Sequence, residues 1–303
     1  MIKISADNFI YQMAAKNEPV AEVLSGDKVL FETNDCFKNQ LNPNNLNLDK
    51  VNWNQINPAT GPLKIKEAKV GDTLKIDIDK INFNKYGVML ADPEMVFIDD
   101  IIKKSKAKLI EIKNNKAIFN EEIELDLNPM IGVIGVAPSK EKGLIPCDTP
   151  DSHGGNMDAK IVTEGSTLYL PVLAEGGFLA LGDLHASMAD GEMVTGLEVA
   201  GEVTLTVSLI KEKAIPNPML ENEKYLYTIA SDEDIYQACK IASKNMFSFL
   251  KQKIKIDETE LLMLMGLICD IEICQVVDPK LTARVKIRKD KLKNIDLNFS
   301  KKL

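Results

Sequence analysis

Leu74, Ile76 and Ile78 alternate with Lys75, Asp77 and Asp79, and Val203, Leu205, Val207 and Leu209 alternate with Thr204, Thr206 and Ser208. A period of two puts apolar side chains on one face of a strand and leaves the other face wet, so both stretches are predicted as half-buried strands. Shorter strands are predicted at 28–32, 116–126, 167–173 and 177–181. A turn-then-strand phrase recurs in Ser25-Gly-Asp-Lys-Val-Leu-Phe31, Val70-Gly-Asp-Thr-Leu-Lys-Ile76 and Glu164-Gly-Ser-Thr-Leu-Tyr-Leu170. In each, glycine allows the turn and Asp or Ser can bond the local backbone before the strand begins. Many short strands punctuated by Gly and Pro predict a mainly β body of sandwich or barrel type.

The period changes after Ala214-Ile-Pro-Asn-Pro-Met-Leu-Glu-Asn-Glu223, a proline-bearing connector with no regular pattern. Ser231-Asp-Glu-Asp234 reads as a capping box, followed by Ile235, Ala238, Ala242, Met246 and Phe249 at helical spacing. Asp257-Glu-Thr-Glu260 caps a second predicted helix carrying Leu261, Leu264, Met265 and Ile268. Leu281, Ala283, Val285 and Ile287 then alternate with Thr, Arg, Lys and Arg, predicting a strand. These patterns divide the chain into a β-rich body over 1–213 and a smaller α+β part over 224–303, with helices laid on a small sheet.

A chain of 303 residues with 45% hydrophobic and 27% charged residues has the composition of a globular protein with a real core. Its net charge of -8 argues against nucleic acid or an anionic membrane as partner, and admits a divalent cation or a small neutral substrate. The five cysteines (36, 147, 239, 269 and 274) form no CxxC pair and fit free thiols in a reducing compartment. No signal peptide is visible at the N-terminus, and the longest apolar run, 261–269, is too short to span a bilayer. A cytoplasmic protein is expected.

Only two histidines occur, and both lie in one acidic, glycine-rich stretch. Between Asp148 and Glu202 stand ten carboxylates, one basic residue (Lys160) and nine of the 17 glycines. In a strand, Asp183 and His185 would project from one face, where they can bind a divalent ion together or the Asp can orient the imidazole. On the residues alone, a turn-capping Asp183 beside a core histidine is the favoured reading, because D-x-H is a weak pattern. His153-Gly-Gly-Asn156 would let loop amides approach a ligand, with His153 as ligand or general acid and Asn156 as oxyanion donor; a plain glycine turn is its alternative. Asp190-Gly-Glu192 offers a general base or a solvated hairpin turn. Glu198, in an apolar run, either supports the site or faces water. Cys36 and Cys147 are candidate nucleophiles, although free cysteines are usually small buried hydrophobes. Walker, GxGxxG, HExxH and GxSxG patterns are absent.

Ser152-His-Gly-Gly-Asn-Met-Asp158, Leu168-Tyr-Leu-Pro-Val172, Glu175-Gly-Gly177 and Gly182-Asp-Leu-His-Ala-Ser-Met-Ala-Asp-Gly-Glu192 resemble motifs of the acetamidase/formamidase family. So do Asn57-Pro-Ala-Thr-Gly-Pro62, 68–74, Ile131-Gly-Val-Ile-Gly-Val-Ala-Pro138 and Gln275-Val-Val-Asp-Pro279, in family order along essentially the whole chain. Three departures are Ala189, where glycine is usual, Gly176-Gly-Phe-Leu179, where Gly-Ala-Leu-Phe is usual, and the absence of a histidine near the N-terminus, which some members carry. The resemblance implies a metal-associated homo-oligomer, expected as a dimer, that hydrolyses short aliphatic amides to carboxylate and ammonia. It places the site on His153, Asn156, Asp158, Asp183, His185, Asp190 and Glu192, with Asp35 approaching from the N-terminal side. The expected ligands are His153, Asp183 and His185, the expected metal is zinc, with calcium as the other candidate, and Glu192 is the expected base. A cysteine amidase and a non-catalytic β-sandwich that binds a cation or small ligand are the rival readings.

Overall fold

The computed structural model of the chain describes residues 1–292 and 294–299. It is mainly β, with two α-helices near the C-terminus and two large sheets, and no closed barrel among the described residues. The alternating stretches become long neighbouring strands, Thr73–Phe83 and Gly201–Ile210, paired antiparallel, with Lys28–Thr33 on the far side of the latter. Their apolar faces, Leu74, Ile76, Ile78, Val203, Leu205, Val207, Val29 and Phe31, are all buried. They share one core with Leu63, Ile65, Ile131, Ile134, Leu179 and Leu181 from the second sheet, so the body is a sandwich. Each such side chain contributes about 1.5–3 kcal/mol relative to an exposed one.

The first sheet runs Ile2–Ile4, Lys28–Thr33, Gly201–Ile210, Thr73–Phe83, Thr167–Pro171, Met219–Glu221, Tyr225–Asp232, Leu281–Arg288 and Cys269–Gln275. The connector 214–223 therefore holds a strand of this sheet, and the C-terminal strands extend the same sheet. Strand Thr167–Pro171 makes the join. Its Leu168 and Leu170 enter the main core, while Tyr169 enters a second core under the helices.

The first helix, α1 (Ile235–Lys253), lies across strands Tyr225–Asp232 and Leu281–Arg288, burying Ala242, Met246, Phe249 and Leu250. Its N-cap is Asp234, whose carboxylate accepts from the Tyr236 amide, whereas Ser231 belongs to the preceding strand. The second helix, α2 (Glu258–Ile268), is capped by Asp257, which accepts from the amides of Thr259 and Glu260. The single strand predicted over 116–126 is a hairpin of Lys116–Ile118 and Glu124–Asp126.

In the second sheet, strand Met130–Gly135 runs between Gly154–Asn156 and Leu179–His185. It carries the two histidine motifs on its opposite edges. On its other edge, Leu179–His185 pairs first with Ala59–Ile65 and then, from Leu184, with Glu198–Val199. The site forms where that neighbour changes.

Candidate active site

At the exchange point the backbone of Asp183 takes φ +54°, and those of Asp158 and Glu192 are also left-handed, at +41° and +35°. Such conformations cost about 1–3 kcal/mol each outside glycine and cluster where function demands a fixed side chain. All three acids line one cavity of about 150 Å³, together with Cys36, Asn156, Glu198 and Asp278, under a rim that includes Phe37, Trp53, Ile56 and Met95.

His185 lies against this acid wall. Its Nε2 is 3.1 Å from Glu198 Oε2, 3.5 Å from Asp183 Oδ2 and 3.9 Å from Asp158 Oδ1. Two triads of donor atoms result: Asp158, His185 and Glu192, and Cys36, Asp183 and Glu198, each within 4.8 Å. Two glycines make room for them. A Cβ on Gly132 would stand 2.3 Å from Asp183 Oδ2 and 2.4 Å from Asp158 Oδ1, and one on Gly196 would stand 2.5 Å from His185 Nδ1.

Five carboxyl groups cannot all be charged in so small a buried space. Burial, and then the Asp183 charge, raise Asp158 to about 6. Burial raises Glu198 to about 8, and burial with the neighbouring Asp158 holds Glu192 and Asp278 well above the carboxylate range. The contact between Asp278 and Asp158 raises the first and lowers the second, while Asn156 Nδ2 donates to Asp278 Oδ2 at 3.0 Å. For His185, burial disfavours the charged ring, but Glu198 and Asp183 outweigh it and raise its pKa well above the usual value.

Asp158 Oδ1, Glu192 Oε2, Glu198 Oε2, His185 Nδ1 and Asn156 Oδ1 are buried without a hydrogen-bond partner. Orphaned oxygens beside an imidazole and a thiol are the donor set that a divalent ion satisfies. The residues present fit a zinc ion on that ground. Cys36 completes the N and S chemistry zinc favours; calcium takes oxygen ligands alone.

The other candidates stand outside the two triads. His153 is fully buried but joins neither triad. Register explains why: Gly154 pairs with Gly135 and His185 with Met130, at opposite ends of one strand. Five residues at ~3.3 Å each separate the two positions by about 16 Å. Burial pulls the imidazole of His153 down to about 4. Gly154 and Gly155 serve packing, since the space a Cβ would need is filled by the carbonyls of Ile134 and Thr149. Asp35 is buried, accepts from the Asn39 amide at 2.6 Å and is raised to about 6, first by burial. Asp190 points away, into the guanidinium of Arg284. Cys147 packs with Met13, Ala59, Val133 and Ala180.

Asp278, which carried no role in the sequence, closes the cavity. It lies 122 residues from its partner Asn156, and no local pattern links them. Glu198 had a signal, a carboxylate inside an apolar run, and it is the register partner of His185.

The model of the acetamidase/formamidase family matches residues 15–143 and 145–290. The chain belongs to that family. Its fold matches a predicted acetamidase/formamidase of Thermoanaerobacter tengcongensis at TM-score 0.95 and 41% identity, over 98% of this chain and 99% of that one. An acetamidase of Bacillus halodurans matches at TM-score 0.93 and 40% identity, over 97% and 99%. A formamidase of Methylophilus methylotrophus is 34% identical over 34% of this chain, and the match spans 31% of that protein's length. Membership bears out the family resemblance and places the chain among hydrolases of linear amide carbon–nitrogen bonds. Among the described residues no helix is long and apolar enough to cross a membrane.

Proposed function

We propose that this protein hydrolyses short aliphatic amides, of the size of formamide and acetamide, to carboxylate and ammonia, using a zinc ion held in the acid-lined cavity. The observation that carries the reading is the convergence of Cys36, Asp158, Asp183, His185, Glu192 and Glu198 on one small buried space with orphaned donor atoms. Cys36, Asp183, Glu198 and His185 are the residues that would hold the ion. When bound, zinc supplies Lewis-acid polarisation of the amide carbonyl and a lowered pKa for water.

Glu192 is suited to the base. Its Oε2 is free, Oε1 accepts from the Gly196 amide at 3.3 Å, and burial with the neighbouring Asp158 makes it a stronger proton acceptor than an ordinary glutamate. Glu192 takes a proton from water as the oxygen adds to the carbonyl carbon, then returns it to the amide nitrogen as the carbon–nitrogen bond breaks. Asn156, with one amide proton engaged by Asp278, offers the other to the oxyanion, a contribution of about 3 kcal/mol in comparable sites. The apolar rim suits a short acyl group. The thiol of Cys36 is raised by burial and by Glu198 and Asp183, which favours a ligand over a nucleophile.

Ammonia release from acetamide and formamide by metal-stripped and zinc-restored protein tests the reading. Activity lost on stripping and regained with zinc is expected; full turnover in verified metal-free protein removes the ion. No ammonia from any short amide, with zinc still raising the melting temperature, would favour the non-catalytic cation-binding reading. We read the molecule as a cytoplasmic homodimer. Support comes from the five free cysteines and from Leu262, Met263, Leu267, Ile271 and Ile273, exposed on α2 and on the edge strand Cys269–Gln275. Light scattering at a monomer mass would remove the dimer.

A further inference from the structure

We propose that Arg284 is a positioning residue, whose two-pronged grip on Asp190 fixes the turn that presents Glu192 to the cavity; the proposal rests on Glu192 being the base. Arg284 is 2% exposed and occupies a position in strand Leu281–Arg288 that the alternating pattern assigns to the wet face. Its Nη1 and Nη2 donate to Asp190 Oδ1 and Oδ2 at 2.8 and 2.7 Å. Its Nε donates to Glu272 Oε2 at 2.7 Å, on the neighbouring strand. Lys160 adds a second cation to Asp190, at 2.8 Å.

The turn is tied down again at its tip. The Gly191 amide donates to Cys274 O at 2.9 Å, Gly191 bridges Gln275, and the Glu192 amide donates to Ala189 O. Glu192 then follows in its left-handed conformation, which an unanchored turn would not hold. The same strand pair aims the opposite acid. Gln275 Oε1 accepts from the amides of Val277 and Asp278 at 3.0 and 3.1 Å, and its Nε2 donates to Thr282 Oγ1 at 3.1 Å. Strands Cys269–Gln275 and Leu281–Arg288 thus set two acids of the site from outside it.

The competing role for Arg284 is a structural ion pair joining the last two strands. The two roles use different atoms: Nε faces Glu272 and the two Nη atoms face Asp190. Variants therefore separate them. R284K keeps the charge and loses the planar fork, D190N keeps the shape and loses the charge, and E272Q weakens the strand-to-strand pairs of Glu272 with Arg284 and Lys286 without touching Asp190.

The test is steady-state acetamide hydrolysis by R284K, D190N and E272Q, each alone and combined with E192Q, with melting temperatures alongside. R284K and D190N should lower kcat about 10- to 100-fold, the scale for a misplaced catalytic group, with KM little changed. E272Q should keep kcat while melting lower. In the E192Q background, R284K and D190N should cost nothing further, because the group they position is already disabled. Equal losses with and without Glu192, or a loss of kcat in E272Q matching that of R284K, would assign Arg284 a structural role only. Should R284K fail to fold, D190N, which leaves the Glu272 pair intact, carries the same comparison. Normal turnover in E192Q overturns the base reading and the clamp with it, whereas an impaired E192Q with additive R284K overturns the clamp alone.

Discussion

His185 and Glu198 are register partners on adjacent antiparallel strands, and their side chains meet with Nε2 3.1 Å from Oε2. A cross-strand pair is a stiff way to hold two side chains, because neither can move without the ladder. Glu198→Gln removes the charge that does most to raise the imidazole. Zinc affinity is expected to fall about 10- to 100-fold, the usual cost of disturbing the groups that orient a metal-binding histidine. Competition with a chromogenic chelator measures it. Unchanged affinity and unchanged amide turnover would take Glu198 out of the site.

Gly132→Ala and Gly196→Ala each drive a methyl group into the acid cluster, at 2.3–2.4 Å from carboxylate oxygens and 2.5 Å from His185 Nδ1. Nothing at those distances can remain in place. Amide hydrolysis should drop at least tenfold, with a stability loss of about 1–3 kcal/mol from overpacking. Gly266→Ala is the contrast: it lies within α2 with open space around it. Replacing a helical glycine there should stabilise the protein by about 1 kcal/mol and leave hydrolysis alone. Chemical denaturation with parallel rate assays decides all three.

The sandwich was legible because strands with one wet face announce themselves by alternation, as 74–79 and 203–209 do. Helix starts were legible through Asp234 and Asp257, although Asp234 alone, and not Ser231, makes the first cap. The pairing of Asp183 with His185 followed from a spacing of two. What the sequence hides is register. His153 and His185, in motifs on strands that flank Met130–Gly135, look like one pair until Gly154 is found opposite Gly135 and His185 opposite Met130. Arg284 is hidden for a related reason: alternation marks a face as polar, but cannot say that another loop will cover it. Asp278 depends on a contact with Asn156 across more than a hundred residues, which no local pattern reports.

Protons retained by buried acids make the metal-free protein sensitive to alkali. In an unfolded chain a glutamate titrates near 4.3; in the fold Glu198 titrates at about 8. The native state holds the extra proton between those values, so this group's stabilisation is complete below about 4 and is lost as pH rises through 8. His185, also raised, has the same sign. His153 has the opposite sign, since its lowered value of about 4 adds stability as pH rises to its unfolded value near 6.5, and nothing beyond. Between pH 6.5 and 8.5 only the decline is left. Chelator-treated protein should melt at falling temperatures over that range. Zinc, which displaces the protons, should raise the melting temperature more at pH 8.5 than at 6.5. A flat or rising curve without metal would contradict the proton inventory.

The two candidate thiols should part cleanly. Cys36 shares the cavity with Asp183 and Glu198, and its thiol is held protonated by burial and by those carboxylates, an arrangement that a cation reverses by binding the thiolate. Cys147 sits in an apolar cluster, with its Sγ 3.5 Å from the Ile10 carbonyl and its pKa pushed by burial up to about 12. Cys147→Ala is therefore expected to cost about 1 kcal/mol or less through packing and to leave kcat within about twofold. Cys36→Ser should weaken zinc binding at least tenfold, and excess zinc should restore much of the lost activity, because a hydroxyl can still serve as a poor ligand. A true nucleophile behaves otherwise. If Cys36→Ser stays inactive at saturating zinc, and the native enzyme forms a covalent acyl adduct on Cys36 visible by mass spectrometry, the thiol attacks the amide itself and the water mechanism fails.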